Sequence, residues 1–375
     1  MRITDVTVIT LSCPLKKTVS TSFGVMPSRT NVLVRVDTDE GISGIGESWT
    51  NFPHWAAEER KITIEKGIKP LIMDENPLQI SYLWDKMYRS LMNSGAGRQW
   101  GARGPLMQAI SGVDIALWDI LGKKLGVPVY QLLGGKACSV AKAYASGLGP
   151  RDYEEYVECS INEGYSAFKL KVGFGRDLDL HNVKTMRRMI GGGRMLMVDA
   201  NQGWKDASEA ISNLKLYKEY DISFIEEPVP ADQLADYKKI RDSGIAPVAG
   251  GENIYSRHGF KDVLVCEALD IIQPDITKTG GLSESKIICQ MAGAWRLPFA
   301  PHMFGTGVGV AASLHLLFST PGGLFMEVDA NPNPLRNDLL EETFYVFKDG
   351  CFVLAEEKPG LGIKLNMDVV REYSI

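Results

Sequence analysis

The strongest constraint on the fold is a repeat that begins near residue 137, where short apolar runs alternate with amphipathic stretches of helical period. Such alternation is typical of βα units that build a parallel sheet. Eight sequential units in about 190 residues favour a closed barrel over an open sheet. An open, doubly wound sheet remains the alternative, although no G-x-G-x-x-G motif follows the first run. The predicted strands are Val140–Ala145, Ala167–Val172, Met195–Asp199, Ile222–Glu226, Ala246–Glu252, Leu269–Asp275, Leu297–His302 and Gly323–Glu327.

Seven of these eight runs have an ionisable residue at their last position or, in one case, at the position before it. The gaps between successive ionisable positions are 28, 27, 26, 23, 27 and 25 residues, which matches the length of one βα repeat of a barrel. The carboxyl ends of barrel strands share one face, where barrel enzymes hold their active sites. One charged residue after a strand is usually a solvated loop residue, but seven in phase favour a catalytic ring. The seven are Lys171, Asp199, Glu226, Glu252, Asp275, His302 and Glu327.

Three carboxylates in this ring, Asp199, Glu226 and Glu252, follow neighbouring strands. Converging carboxylates repel one another unless a cation lies between them. Oxygen ligands alone favour a hard divalent ion, Mg²⁺ first and Mn²⁺ as a substitute. Three protein ligands leave about half of an octahedron open for substrate oxygens and water. The sequence therefore predicts a metal site that polarises a bound carboxylate or carbonyl.

Candidate bases lie on either side of the predicted metal site. Lys169 and Lys171 face the same side of a strand of period two, and their mutual repulsion is expected to lower the pKa of at least one, as a general base requires. On the other side, Asp275 can fix the tautomer of His302 and support its imidazolium. Two bases beside one metal suit removal of a proton alpha to a carboxylate through an enediolate.

Three further charged residues near the strand ends receive separate interpretations. Glu327 is predicted to share a proton with the substrate if its pKa is raised. Glu227, which precedes Pro228, is interpreted as a residue that supports the site from behind or lies in a loop. Lys278 is interpreted as a loop residue.

The N-terminal third of the chain has a different pattern. Residues 1–50 predict a three-stranded meander, and Ala56–Leu125 predicts helices with apolar residues at three- and four-residue intervals. Two intervening loops, Lys16–Arg29 and Ser48–Trp55, are expected to close over the barrel mouth. Residues 345–375 return to short strand-like pieces that are expected to rejoin the N-terminal part.

Composition excludes several classes of partner. The 41 Lys and Arg against 46 Asp and Glu leave a net charge of −5, so there is no basic surplus for nucleic acid. No apolar run reaches the ~18 residues of a membrane helix, and the first residues lack the pattern of a signal peptide. Six cysteines without a C-x-x-C pair, and only five histidines, argue for reduced thiols and against a Cys/His zinc site. We expect a cytoplasmic homo-oligomer with no nucleic-acid or membrane partner.

Several motifs resemble the enolase superfamily, and within it the mandelate racemase subgroup. The resemblance covers essentially the whole chain. It implies an α/β fold in which an N-terminal α+β capping domain (residues 1–130) precedes a (β/α)7β TIM-like barrel (131–345), and a C-terminal segment (346–375) returns to the cap. The motifs are the run Ala109–Lys123, Pro128, Leu132–Gly135, the K-x-K of Lys169 and Lys171, the metal ligands Asp199, Glu226 and Glu252, and the pair Asp275 and His302.

The resemblance also implies roles for these residues. Lys171 and His302 would be the two bases, and Lys169 a partner of the substrate carboxylate. Glu327 matches the position that hydrogen-bonds the substrate carboxylate or its enediolate, and Asn201 matches a substrate contact. Asp275 stands where the muconate-lactonising and dipeptide-epimerase branch has a lysine, which favours the mandelate racemase subgroup.

The expected substrate is a small hydroxy-carboxylate, and three outcomes share its first step. Dehydration of an acid sugar (an aldonate or aldarate) is favoured, because a polyol acid offers a β-hydroxyl that His302 can help to leave. Racemisation or epimerisation of a 2-hydroxy acid and cycloisomerisation of a sugar-acid lactone are the alternatives. The segments Pro301–Gly307 and Met326–Asp329 are similar to galactarolactone cycloisomerases, but acid-sugar dehydratases share much of them. A non-catalytic binding protein on the same fold is disfavoured, because every family position is filled.

Overall fold

A three-stranded antiparallel meander opens the chain, as predicted. The structure, a computed structural model, describes residues 1–22, 24–53, 55–99 and 101–375, without the side chain of Lys16. The strands are β1 (Ile3–Thr21), β2 (Gly24–Thr38) and β3 (Ser43–Ser48), with β2 in the centre. Alternation of apolar and polar residues buries one face of the sheet against the helices that follow.

The segment Lys16–Arg29 is not a loop, so that prediction is wrong. It is a hairpin in which β1 continues to Thr21 and β2 starts at Gly24, with Val19 paired to Met26. Both Val19 and Met26 are buried, and the β-branched residues of this stretch favour extended backbone. The serines and threonines that suggested a loop occupy the other positions of the two strands. The second segment, Ser48–Trp55, does follow β3 as a loop; its His54 lies outside the described residues.

Helices of the N-terminal part pack on the meander. The longest, α5, runs through the Ala109–Lys123 motif and is buried on most of its surface. It lies so close to β3 that a Cβ at Gly44 or Gly46 would come within 2.0 Å of a backbone oxygen of α5. The helices are α1 (Ala56–Ile62), a π-helical turn (Thr63–Ile68), α2 (Lys69–Ile72), α3 (Ile80–Met92), α4 (Gly95–Arg98), α5 (Arg103–Leu125) and α6 (Val129–Leu132).

Parallel strands then form a closed barrel, which confirms the predicted barrel and excludes the open sheet. The last strand pairs with the first, so the sheet has no free edge within the barrel. The seventh predicted strand, Leu297–His302, is reduced to a single residue, Phe299, which bridges Ile272 and Gly323. The strands are β4 (Val140–Leu148), β5 (Ala167–Lys171), β6 (Met195–Asp199), β7 (Ile222–Glu226), β8 (Val248–Gly250), β9 (Ile271–Ile272) and β10 (Met326–Asp329).

Helices cover the outside of the barrel, and an apolar layer fills its interior. Each of the eight strand positions contributes one buried side chain to this layer: Tyr144, Ala167, Met197, Phe224, Ala249, Ile271, Ala300 and Phe325. The polar residues of the barrel mouth therefore rest on an apolar floor. The helices are α7 (Glu154–Asn162), α8 (Arg176–Ile190), α9 (Ala207–Tyr217), a 3₁₀ turn (Lys218–Tyr220), α10 (Leu234–Asp242), α11 (Ser256–Val265), α12 (Gly281–Ala294), α13 (Gly307–Ser319) and α14 (Pro334–Asn337).

The C-terminal segment contacts both parts of the molecule. Its elements are β11 (Leu340–Glu342), β12 (Tyr345–Lys348), β13 (Cys351–Leu354), β14 (Lys364–Leu365) and α15 (Met367–Tyr373). Strand β13 pairs antiparallel with β4 of the barrel. Ser374 bridges Leu11, and the Ile375 N–H donates to the Thr10 carbonyl over 3.0 Å. Among the described residues, no helix combines the length and the apolar character that a membrane span requires.

A buried ion pair fastens the hairpin of β1 and β2 to the barrel. Arg29 on β2 is fully buried, pairs with Asp329 at the end of β10, and stacks with its guanidinium carbon 4.2 Å from the centre of the Phe304 ring. Because both charges are out of water, removing one partner leaves the other without compensation.

We therefore expect Arg29→Ala to lower the free energy of unfolding by about 3–5 kcal/mol. The matched control is Arg35→Ala, since Arg35 pairs with Asp37 at 2.8 Å but is 52% exposed. That control should change the free energy of unfolding by less than about 1 kcal/mol. Urea unfolding followed by circular dichroism measures both values. Equal losses in the two variants would contradict a special role for the buried pair.

Candidate active site

All seven ionisable residues at the strand ends are buried, between 0 and 9% exposed. The regular βα repeat brings them to the same end of the barrel, and Lys169 joins them from within β5. Neighbouring strands place Lys171 opposite Asp199 and Asp199 opposite Glu226 in register. The predicted ring of side chains therefore exists as a connected, buried cluster.

The lysine side of the cluster is held by carboxylates. Lys169 Nζ donates to both oxygens of Glu226, at 2.6 and 2.7 Å, and lies 2.8 Å from Glu327 Oε1. Lys171 Nζ donates to Asp199 Oδ2 at 2.6 Å. Lys171 thus contacts an acidic group on the neighbouring strand, and Lys169 contacts acidic groups two strands away on either side. Together they place two ammonium groups in the mouth of the barrel.

The pKa of Lys171 is raised, so the prediction of a lowered pKa is wrong for this arrangement. Burial disfavours the ammonium form and Lys169 repels it, as predicted, but the carboxylates of Asp199 and Glu226 outweigh both. The sequence showed the neighbouring lysine on the same strand. It did not show that Asp199 lies directly opposite on the next strand.

The histidine side contains an aspartate–histidine pair. His302 Nδ1 lies 2.7 Å from Asp275 Oδ2, and because a carboxylate only accepts, Nδ1 is the donor. The other oxygen of Asp275 accepts from the Thr277 N–H at 2.7 Å and from Thr277 Oγ1 at 2.6 Å. Asp275 is thereby fixed and in turn orients the imidazole.

The other ring nitrogen of His302, Nε2, lies 3.0 Å from Glu252 Oε2. Burial disfavours the imidazolium, but Glu252, Glu327 and Asp275 outweigh this effect and raise the pKa of His302 to about 9. The sequence predicted a histidine supported in its charged form, and the shift has that direction.

The pKa of Glu327 is lowered to about 2, so the raised pKa on which the predicted sharing of a proton with the substrate depended is not found. Burial raises it, but the charges of Lys169 and His302 and hydrogen bonds from Lys169 and Ser146 dominate. Ser146 Oγ donates to Glu327 Oε1 at 2.6 Å, and the Met303 N–H donates to Oε2 at 3.0 Å. Glu327 is therefore an ionised acceptor here, because partners far away in the sequence but on nearby strands of the barrel reach it.

The predicted metal ligands Asp199, Glu226 and Glu252 fit a hard divalent cation by position and by donor type. They follow three neighbouring strands, and all of their donor atoms are carboxylate oxygens. Burial and the nearby carboxylates, opposed by Lys169, raise the pKa of Glu226 to about 8. The ionised form of Glu226 is therefore disfavoured by its surroundings, and a bound cation would favour it.

The side chains as they stand do not form a ready metal cage. In the described part of the chain, no group of three or more His, Cys, Asp or Glu side chains has the geometry to hold an ion. Asp199, Glu226 and Glu252 are instead bonded to Lys171, Lys169 and His302. Binding a cation therefore requires these side chains to exchange an ion pair for a metal contact.

Asn201 carries a polar atom that is available to a ligand. Its backbone N–H and side-chain amide donate to Asp199, at 2.8 and 3.2 Å. Its side-chain oxygen is buried and, among the described residues, has no hydrogen-bond partner. A substrate hydroxyl would satisfy this acceptor, which agrees with the predicted substrate contact.

Two residues interpreted as peripheral lie close to the cluster. Lys278, interpreted as a loop residue, is in a turn after β9 but is only 2% exposed. Its Nζ donates to Asn253 Oδ1 at 2.9 Å and lies 4.8 Å from the centre of the Trp49 ring. Glu227 accepts from Asn253 Nδ2 at 3.0 Å, and burial raises its pKa to about 8. The signal for Lys278 was its position three residues after a strand-end aspartate.

An apolar cover lies over the site and comes from the N-terminal part. Val19 and Met26 of the hairpin pack with Trp49 and Phe304 in one buried cluster. The Trp49 ring centre is 5.4 Å from that of His302, and Lys171 Nζ is 5.9 Å from the centre of the Phe304 ring. An aromatic ring of the same buried cluster therefore lies beside each candidate base.

The closed barrel has carboxylates, lysines and an aspartate–histidine pair at its mouth, and the N-terminal α+β part covers that mouth. This arrangement is typical of a capped barrel enzyme. Residues 3–134 match the Mandelate racemase / muconate lactonizing enzyme, N-terminal domain, and residues 152–369 match the Enolase C-terminal domain-like family. The chain belongs to the enolase superfamily, in its mandelate racemase and muconate lactonizing enzyme family. Membership of this superfamily generally implies a divalent metal, usually Mg²⁺.

Similar proteins are enzymes named for reactions of acid sugars. D-galactarolactone cycloisomerase of Agrobacterium fabrum is 34% identical over 92% of this chain and 91% of its own. Arabinonate dehydratase of Saccharolobus solfataricus is 32% identical over 91% of this chain and 90% of its own. The crystal structure of the 3,6-anhydro-D-galactonate cycloisomerase from Zobellia galactanivorans has a TM-score of 0.90 at 31% identity, with both chains fully covered. The protein is therefore an enzyme of this superfamily.

Proposed function

We propose that the protein is a Mg²⁺-dependent enzyme that removes the proton alpha to the carboxylate of an acid sugar and then eliminates water from it. The observation that carries this proposal is the His302–Asp275 pair on one side of the carboxylate cluster and Lys171 on the other. The similarity to enzymes named for acid sugars supports the substrate class.

Substrate binding uses the polar groups at the barrel mouth. Lys169 donates to the substrate carboxylate, exchanging part of its contact with Glu226 and Glu327. Asn201 accepts from a substrate hydroxyl through its unpartnered oxygen. Glu327, as an ionised acceptor, takes a hydrogen bond from a further hydroxyl or from the enediolate form when that carries a proton.

Asp199, Glu226 and Glu252 would hold a divalent cation, which when bound would make the α-proton more acidic by withdrawing charge from the substrate carboxylate. Lys171 and His302 then act on opposite faces of the α-carbon. One takes the α-proton, and the C–H electron pair moves into the enediolate. The other serves as an acid.

In dehydration, the C–O bond at the β-carbon breaks as that acid gives its proton to the departing hydroxyl, and water leaves. The resulting enol loses its hydroxyl proton and gains a proton at the β-carbon, and so becomes a 2-keto-3-deoxy acid. In racemisation, the second group instead returns a proton to the α-carbon from the far face. The same two residues therefore support either outcome. Which one occurs depends on whether the substrate places a β-leaving group next to the acid.

Cycloisomerisation of a sugar-acid lactone is the second candidate function. The apolar cover of Val19, Met26, Trp49 and Phe304 favours it, since a ring exposes fewer hydroxyls than an open polyol. Here the ring oxygen, rather than a free hydroxyl, would be the β-leaving group, and the chain would open without loss of water.

The proposal is tested by incubating the purified protein and Mg²⁺ with a panel of aldonates, aldarates and their lactones. Formation of a 2-keto acid, lactone opening and optical rotation are followed in parallel, with proton NMR in D₂O to detect α-exchange. Dehydration predicts a keto acid from at least one open-chain acid. Conversion of lactones alone would select cycloisomerisation, and the absence of α-exchange with every compound would overturn the proposal.

A further inference from the structure

The two loops that carry His302 and Asp275 lead directly into barrel helices whose N-termini are bonded to the N-terminal part. Helix α13 starts at Gly307, shortly after His302, and α12 starts at Gly281, shortly after Asp275. The first N–H groups of a helix lack partners within the helix, so the groups that accept from them fix where the helix begins.

At the start of α13, Thr306 Oγ1 accepts from the Val308 N–H at 3.1 Å, and further donors are bonded to Glu47, the penultimate residue of β3. Its buried carboxylate accepts from the Thr306 N–H at 2.9 Å, Thr306 Oγ1 at 2.6 Å and the Gly309 N–H at 2.7 Å. A Cβ at Gly305 would lie 2.3 Å from Glu47 Oε1. A carboxylate at a helix N-terminus is also favoured by the helix dipole. The segment that follows His302 thus packs closely against the Glu47 side chain of the meander.

At the start of α12 the acceptors are Ser111 and Asp114 of α5. Ser111 Oγ accepts from the Gly280 and Gly281 N–H groups, at 2.8 and 3.0 Å. Asp114 accepts from the Ser283 N–H at 2.9 Å and from Ser283 Oγ at 2.6 Å. These residues belong to the Ala109–Lys123 motif, to which the proposed chemistry assigns no part.

Further bonds from the N-terminal part reach the same two loops. The Trp84 indole donates to the Gly280 carbonyl at 2.7 Å, and the Trp49 N–H donates to the Thr277 carbonyl at 3.2 Å. The Asn51 amide donates to the Phe304 carbonyl at 2.8 Å. Each loop is therefore held at several points in the segment that follows Asp275 or His302.

On the lysine side of the site, the hydrogen bonds that hold the loop and the helix start come mainly from the barrel itself. The loop between Lys171 and α8 is held by Asp179 of α8 itself, which accepts from the Gly173 and Phe174 N–H groups at 2.9 and 3.2 Å. Helix α9, after β6, is capped by its own Asp206. The hairpin reaches this side through Ser22 Oγ, which donates to the Asn201 carbonyl at 2.7 Å.

We propose that Glu47, Ser111 and Asp114 are positioning residues by which the meander and α5 set the His302–Asp275 pair against the substrate, while the loop after Lys171 is held from within the barrel by Asp179. The inference rests on the proposed function, in which His302 and Lys171 perform separable steps. It predicts that weakening this attachment harms the step that depends on His302 and spares the step that depends on Lys171.

The test compares Glu47→Gln with Asp179→Asn, an acid-to-amide change at the matching place on the lysine side. The two steps are defined first by the variants His302→Asn and Lys171→Ala, through α-proton exchange in D₂O and product formation. Misplacement of a catalytic group by about 1 Å lowers rates on the order of 10²-fold. We expect Glu47→Gln to lower the His302-dependent rate by about 10- to 100-fold and leave Lys171-dependent exchange within about twofold, with KM little changed. Asp179→Asn should leave the His302-dependent rate within about twofold.

A purely structural role for Glu47 would lower both rates together, which would overturn the inference. If Glu47→Gln does not fold by circular dichroism, Ser111→Ala removes the acceptor at α12 with a smaller change and should show the same selectivity. Failure of the proposed function itself is distinguishable, because His302→Asn and Lys171→Ala would then leave exchange and product formation unchanged.

Discussion

Replacing Lys171 with alanine or His302 with asparagine is expected to lower turnover of the identified substrate by about 10²- to 10⁴-fold. Each variant removes a group that can carry a proton on one face of the α-carbon, and no neighbouring side chain occupies the same position. Lys171 is replaced without changing Lys169, so binding of the carboxylate survives. In a dehydratase, one of the two variants should still exchange the α-proton with solvent but form no product, since abstraction persists while departure of the hydroxyl fails.

The controls are Lys184→Ala and His181→Asn, which change the same residue types at exposed positions of α8. Both should keep wild-type turnover and exchange. Deuterium incorporation is read by NMR and product formation by a keto-acid assay. Near-normal turnover in both site variants would contradict the two-base mechanism, including the assignment of His302 and Asp275 as a catalytic residue and its support.

The arrangement of the barrel site was predictable because it depends on a local, repeating pattern. A βα unit of nearly constant length returns the chain to the same end of the barrel, so Asp199, Glu226 and Glu252 had to converge once the strands were located. The seventh strand shows the limit of this reasoning. Its apolar run correctly predicted that His302 lies at the barrel mouth. The run did not show that the strand is reduced to the single bridging residue Phe299.

The protonation of the site was not predictable, because it depends on contacts between strands. The sequence shows that Lys169 lies two residues from Lys171, but not that Asp199 lies within 2.6 Å of Lys171 Nζ. Likewise it does not show that Lys169 on β5 reaches Glu327 on β10, two strands away. The predicted direction for the pKa of Lys171 was therefore wrong, and the raised pKa on which proton sharing by Glu327 depended is not found. The support of the charged form of His302 followed from a partner on the neighbouring strand.

Contacts between the meander and the barrel were also beyond the sequence. Glu47 and Thr306 are separated by most of the chain, and no periodic pattern links two residues of that separation. The hairpin was misread because serine and threonine occur in both loops and strands, and only the burial of Val19 and Met26 under Trp49 distinguishes the two.

Removal of divalent metal is expected to reduce turnover by about 10³-fold or more, because polarisation of the substrate carboxylate contributes several kcal/mol to the barrier. Dialysis against EDTA should abolish activity, and Mg²⁺ should restore it, with Mn²⁺ as a substitute. Mn²⁺ also reports binding without turnover, since its electron paramagnetic resonance signal falls when it is bound. Titration of the metal-free protein should give one site per chain.

Glu252→Gln locates that site. The amide keeps the shape of the side chain but removes one of three negative charges, so Kd for Mn²⁺ should rise by at least about tenfold. Thermal unfolding should be little changed, because Glu252 faces the barrel mouth and its contacts are with His302, Lys278 and Asn253 rather than with the apolar core. Glu155→Gln, on the exposed surface of α7, should bind Mn²⁺ as the wild type does. Unchanged Mn²⁺ affinity in Glu252→Gln would remove Glu252 from the ligand set. Loss of affinity in Glu155→Gln as well would show that net charge, rather than three converging carboxylates, governs binding.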